Sequence, residues 1–237
     1  MRKKPKLCMF CGKDKSFGPM SKEHFVPKAL WDGERPQHTK TCPAHKSCNE
    51  SFAGDNDYFR DVLVSEAGTK AHPEAQKLHV GKLKRKIENQ IGSMRTVFED
   101  VALRPVITPG GLYLGHAPMF RVDWPRINRV LLNVMKGIYY TAKGDPLPPD
   151  WKWAVLRDEE IDHETMQPLF DEMPTQWTTF GDDVFGCRYI TNDEHGGIAC
   201  LMQFFRRRTF FGCSFSHAFI ETEFGRAYES LLIETPS

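Results

Sequence analysis

No stretch of this 237-residue chain approaches the ~20 apolar residues that a membrane-crossing helix needs. The basic start, "MRKKPKLCMFCG", also lacks the roughly 7–15-residue apolar core of a secretory signal. The chain therefore reads as cytoplasmic, with no membrane partner. Its cysteine count is odd, seven, which argues against a disulfide framework. Overall charge is nearly absent at +1. No internal repeat or low-complexity tract occurs, which excludes repeat architectures. From Cys8 to about Phe52 large apolar residues are scarce. Such a segment cannot fold on burial alone, and a structural metal commonly stands in for the missing core.

What is present begins with a hydrophobic content of 40%, enough to bury a real core in one large domain or two small ones. The small net charge conceals a polarity. Residues 1–50 carry 11 Lys and Arg against 5 Asp and Glu, a net of +6 that leaves −5 for the remainder. A basic end suits a polyanionic partner, with a solvated lysine-rich tail as the alternative.

Cys8, Cys11, Cys42 and Cys48 crowd the first 48 residues. Cys187, Cys200 and Cys213 lie in apolar, strand-like runs and read as core residues, since a free thiol behaves as a small hydrophobe. Cys8 and Cys11 form a C-x2-C pair followed by Gly12. His45 and Cys48 repeat the spacing. Four such nitrogen and sulfur ligands suit tetrahedral zinc with no open position, a staple rather than a catalyst. Cys42 rivals His45 as the fourth ligand. His45 is preferred, because two short pairs close a compact site and Cys42 precedes a proline.

Glu23 and His24 lie between the halves of this staple, Pro27 follows them, and Asn49 follows Cys48. In the order "CMFCGK", "KEHFVPK", "CPAHKSCNESF", "DNDYF", the segment 8–60 resembles the HNH endonuclease family in the zinc-stapled form of its ββα-metal fold. The resemblance implies a ββα-metal domain over 1–68; the sequence pattern beyond it adds a basic helical connector over 69–103 and a mostly antiparallel α+β domain over 104–237 of open role, an α+β chain overall. The resemblance also implies an endonuclease hydrolysing DNA, with RNA as the alternative substrate. His24 would take a proton from water near neutral pH. Glu23 and Asn49 would offer hard oxygens to one divalent cation, most simply Mg²⁺. A single-metal site cuts one strand per visit, so double-strand cleavage would call for a homodimer.

The sequence departs from the family pattern in two places. The second ligand pair is His-x2-Cys, and the middle Asn that orients the catalytic His has no clear counterpart, "RPQHTKTC" offering His38, Thr39 or Lys40 there. Asp55 and Asp57 are alternative cation ligands, although Asp57 also reads as a helix cap. A zinc-stapled nucleic-acid-binding module without catalysis and a protein-interaction scaffold are the competing functions. Geometry sets a further condition. Neighbours on a regular strand point to opposite faces, so Glu23 and His24 can share one phosphate only where the strand twists, bulges or ends.

Elsewhere the pattern predicts a second short strand over 36–42 and a helix from Asp57 bearing Phe59, Val62 and Leu63, stopping at Gly68. Another helix is expected after Pro73, with Leu83, Ile87, Ile91, Met94 and Phe98 on one face and Lys82, Lys84, Arg85 and Lys86 in its first half. "RPVITPGGLYLG" reads as a breaker-rich link with a boundary near 103. Asp123 caps a helix bearing Ile127, Val130, Leu131, Val134 and Ile138. Strands are expected in "WKWAVLR", "VFGCRYI", "IACLMQFF" and "TFFGCSF", the last two joined by an "RRR" hairpin tip. An acidic helix falls between the first two of these strands. His38, His72, His79 and His116 read as ordinary, while His163 and His195 lie in the acidic stretches "IDHE" and "NDEHGG", where a second metal site is a remote alternative.

Overall fold

The computed structural model describes residues 6–33, 36, 40–66, 68–85, 100–108 and 110–232. Near its start the chain forms a knuckle. The Cys8 N–H donates to Lys13 O and the Gly12 N–H to Cys8 O, both at 2.9 Å. Gly12 sits at φ +71°, a left-handed conformation that costs a residue with a Cβ about 1 kcal/mol.

A two-stranded hairpin follows, β1 (Met20–His24) and β2 (Thr41–His45). It pairs without a bulge from Met20 opposite His45 to His24 opposite Thr41. The second strand thus begins later than the expected 36–42. The stretch that alternates is Cys42, Ala44 against Thr41, Pro43, and it buries Cys42 and Ala44. The short helix α1 (Lys46–Glu50) and then α2 (Ala53–Ser65) come next. Helix α2 starts four residues ahead of Asp57, which is therefore no cap. Asp57 instead pairs with Arg60 at 2.7 Å, and Arg60 also grips the fully buried Asp61 at 2.6 Å. That charge pairing keeps a buried carboxylate satisfied.

Helix α3 (Pro73–Leu78) begins after His72, whose ring accepts the Glu74 N–H at 3.2 Å. It passes directly into a single π turn, His79–Leu83. The expected stripe continues through Ile87, Ile91, Met94 and Phe98, which lie outside the described residues, as does Lys86.

The segment read as a link is a second hairpin, β3 (Ala102–Ile107) and β4 (Tyr113–Met119). Gly110 and Gly111 of its breakers fall at the tip, while Pro105 and Gly115 lie within the strands. The Gly111 N–H donates to Thr108 O at 2.9 Å, and the Thr108 N–H to Leu112 O at 2.8 Å. Helix α4 (Trp124–Lys143) is as its pattern predicts. Asp123 accepts the Arg126 N–H at its start, Gly144 closes it in the left-handed conformation, and Ile127, Val130, Leu131, Val134 and Ile138 are buried.

The remaining elements build a five-stranded antiparallel sheet in the order β5-β9-β8-β7-β6. Its strands are β5 (Lys152–Arg157), β6 (Thr178–Phe180), β7 (Phe185–Asn192), β8 (Gly197–Phe204) and β9 (Arg208–Phe215). Strand β6 had no sequence signal. The acidic helix α5 (His163–Glu172) follows β5. The β8–β9 turn is centred on Phe205 and Arg206, at φ +53° and +56°, one residue ahead of the expected "RRR". Arg206 there pairs with Asp183 of the facing turn.

One sheet face is covered by α5 with Met166, Leu169, Phe211, Cys213 and Phe219. The other joins a larger core that includes Cys8, Phe59, α4, Cys187, Cys200 and Phe204. Phe59 meets Phe204 edge-on at 5.0 Å, and Phe25 meets Phe180 edge-on at 6.0 Å. The core therefore runs on across residues 68 and 103. No helix among the described residues is long and apolar enough to cross a membrane.

Candidate metal centre and the hairpin beside it

The knuckle and the base of the β1–β2 hairpin bring Cys8, Cys11, His45 and Cys48 together, their ligand atoms all within 4.8 Å of one another. Among the described residues no other group of three or more His, Cys, Asp or Glu side chains converges in this way. His45 Nδ1 lies 3.3 Å from Cys11 Sγ and 3.9 Å from Cys48 Sγ. The four residues can hold a metal ion, and three sulfurs with one nitrogen are a donor set compatible with structural zinc.

The surroundings are arranged for a ligand. His45 Nε2 donates to the Asp14 carbonyl at 2.8 Å, which leaves Nδ1 without a proton and aimed at the thiols. Asp14 is held in turn by a local loop, its carboxylate accepting the Ser16 N–H at 2.9 Å and hydroxyl at 2.6 Å. The His45 N–H points at Cys8 Sγ at 3.4 Å. Burial raises the Cys8 thiol, but N–H groups of Cys11, His45 and Phe10 outweigh it and bring the thiol below the ordinary cysteine value. Cys48 is pushed up to about 12, first by burial and then by Cys8 and Cys11. Three ionised thiols so close together repel one another, and a bound dication removes that cost.

Cys42 takes no part. Its thiol faces away from the cluster, toward the Gly137 carbonyl and the Thr141 hydroxyl, both 3.8 Å away on α4. Helix α4 is the bed under this region. A Cβ at Gly137 would overlap Phe25, the neighbour of His24. The chain neighbour of Gly137, Lys136, donates to Phe10 O at 3.2 Å. Burial pushes its amine down, against the opposing pull of Cys11, Cys8 and Cys48.

Glu23 and His24 occupy the other end of the hairpin. His45 faces Met20, whereas His24 faces Thr41, four strand steps or ~13 Å along. Glu23 shares a face with Ser21, whose hydroxyl donates to Glu23 Oε1 at 2.6 Å. Pairing is regular through both residues, which directs Glu23 and His24 to opposite faces. It stops at His24. Of the three expected routes to convergence, twist, bulge or strand end, the strand end is present. Asn49 lies in α1, half-buried, in the helix that touches both strands. Both carboxylate oxygens of Asp55 are engaged, by Arg126 at 2.7 Å and Arg129 at 2.8 Å, so this alternative cation ligand is an ion-pair anchor. His38 and Thr39 lie outside the described residues. Lys40 is exposed beside Thr41.

Along the hairpin runs a cleft of about 370 Å³, lined by Lys6, Ser21, Lys22, Thr41 and Tyr140 among others. Lys28, Lys40 and Lys46 are also exposed in this part of the chain. Sequence reasoning found the four ligands but missed Asp14, Ser21, Lys136 and Gly137. A glycine inside the strongly apolar helix "NVMKGIYY" was the available signal of close backbone approach. Comparison with protein-family models, curated proteins and solved structures finds no match to this chain.

Proposed function

We propose that this chain is a zinc-stapled endonuclease of the HNH kind, a metal-dependent hydrolase of phosphodiester bonds in DNA. The observation that carries the reading is the clasped unit. Cys8, Cys11, His45 and Cys48 converge at the base of β1, β2 and α1. The same unit bears Glu23 and His24 where β1 stops and Asn49 next to a ligand. Zinc suits the quartet, and with no open position it supplies fold rather than chemistry.

His24 is the proposed base, its unperturbed range lying near neutral pH. The Ser21 hydroxyl fixes one oxygen of Glu23 and leaves the other to face a cation. Glu23 and Asn49 would each offer an oxygen to a divalent cation of the Mg²⁺ kind. A cation bound there would neutralise charge on the phosphate and leaving oxygen. The lysine- and hydroxyl-lined cleft offers contacts to the phosphate backbone. A second reading, nucleic-acid binding without cleavage, is favoured by the opposite facing of Glu23 and His24 on β1.

Purified protein incubated with plasmid and Mg²⁺ distinguishes them. Wild type should nick, and His24→Ala should cut on the order of 10²–10⁴-fold more slowly with unchanged zinc content. If both proteins are inert, yet retain DNA in a strongly salt-dependent way, the binding module is the correct reading.

A further inference from the structure

Among the described residues, the exposed large apolar side chains concentrate on the β3–β4 hairpin, with Phe17 and Val80 the others. Leu103, Leu112, Leu114 and Ile107 are 72%, 64%, 62% and 58% exposed, and Val101, Tyr113 and Met119 add to them. The two strands pack on each other, and their contacts with every other described element are marginal. An isolated two-stranded ribbon is barely stable in water. An exposed apolar patch of this size marks a contact surface. We propose that this arm packs against the same arm of a second copy of this chain, making a two-fold symmetric homodimer.

Three observations select that occupant. First, Arg104 is the one Lys, Arg, Asp or Glu residue between Val101 and Met119. A surface with a single cation is a poor match for a nucleic-acid backbone and offers no repulsion to its own copy. Second, the backbone edges are blunted. Pro105 lies in β3, Pro118 lies in β4, and the register shifts between Val106 and Ile107. These devices discourage addition of a foreign strand, so side chains rather than backbone make the contact. Third, the area is sufficient. Neighbours such as Leu112, Tyr113 and Leu114 point to alternate faces of the ribbon, so about five of the seven can share one contact face; at on the order of 100 Å² each, two arms would bury roughly 1,000 Å², the threshold for a specific interface. A self-complementary patch on a two-fold axis closes after one partner, which prevents open-ended assembly.

The inference is independent of the nuclease reading. It is tested by light scattering and sedimentation of the full chain from about 1 to 100 µM, a range suited to such an area. A dimer is expected for wild type, and Leu103→Lys with Leu114→Lys should weaken it at least ~100-fold while leaving the circular dichroism spectrum unchanged. Should that variant misfold, amide exchange on wild type decides. Amides of residues 101–119 should be protected in the concentrated sample and exchange faster on dilution. A monomer throughout the range overturns the proposal. So does a dimer whose arm amides exchange equally at all concentrations, or a monomer captured by phosphatidylcholine vesicles.

Discussion

The β1–β2 hairpin and the β8–β9 hairpin are built from the same kind of antiparallel pairing and are held by different physics. In β1 no residue is buried and in β2 three of five are, whereas six of eight are buried in each of β8 and β9. The sheet hairpin is secured by aromatic packing, with Phe204 set against Phe59, Phe185 and Phe210. The amino-terminal hairpin has little such packing of its own. A cluster of polar ligands closes its base, and α4 supports it from below. Two hairpins of nearly equal regularity can thus be closed by a cluster of ligands able to hold a metal in one place and by apolar area in another.

The largest test of that contrast removes each support in turn. Cys48→Ser, or a strong chelator, should abolish stoichiometric zinc and cost several kcal/mol, because binding free energy at a structural site is folding free energy. Phe204→Ala should cost about 3–5 kcal/mol and leave zinc content intact. Metal analysis combined with urea unfolding reads both. If the cysteine variant melts like wild type, the hairpin stands without its clasp and the contrast is broken.

The next test addresses the bed shared by both regions. Gly137→Ala forces a methyl into Phe25, and overpacking of that kind costs about 1–3 kcal/mol. The displaced Phe25 adjoins His24, so the variant should also lower any His24-dependent cleavage. A destabilised variant with full activity would show that α4 does not position the hairpin's far end.

The smallest effect concerns the tie between α2 and α4. Burial raises the Asp55 carboxyl, but Arg129 and Arg126 outweigh it and hold it below the usual carboxylate range. A depressed folded value means that this stabilisation is complete above the unfolded value near ~3.9 and is lost as pH falls through the folded one. Asp55→Asn should cost about 1–2 kcal/mol at neutral pH, and the difference from wild type should shrink in strong acid. A difference independent of pH down to about pH 2 would assign the role of Asp55 to packing.

Much of this was legible residue by residue. Cys8, Cys11, His45 and Cys48 announce themselves because coordination needs short spacings along the chain. Helix α4 is explicit from Asp123 to Gly144 because capping and a period of 3.6 are local properties. Cys187, Cys200 and Cys213 read as core because their neighbours are apolar. The β3–β4 hairpin was hidden by its own turn residues, and β6 by its brevity. Nothing in the chain marks Gly137 as the partner of Phe25, since the two are far apart in sequence and meet only through packing.

The sequence by itself determined which atoms can bind a metal, where α4 begins and ends, and which strands carry the aromatic core. Each of these follows from residue identity at short range. Tertiary structure alone decided that Cys42 turns to α4 while His45 turns to the thiols, that β1 stops pairing at His24, and that no other described element covers the β3–β4 arm. Those outcomes depend on strand register and on which distant surface lies opposite, and register is set by the whole fold.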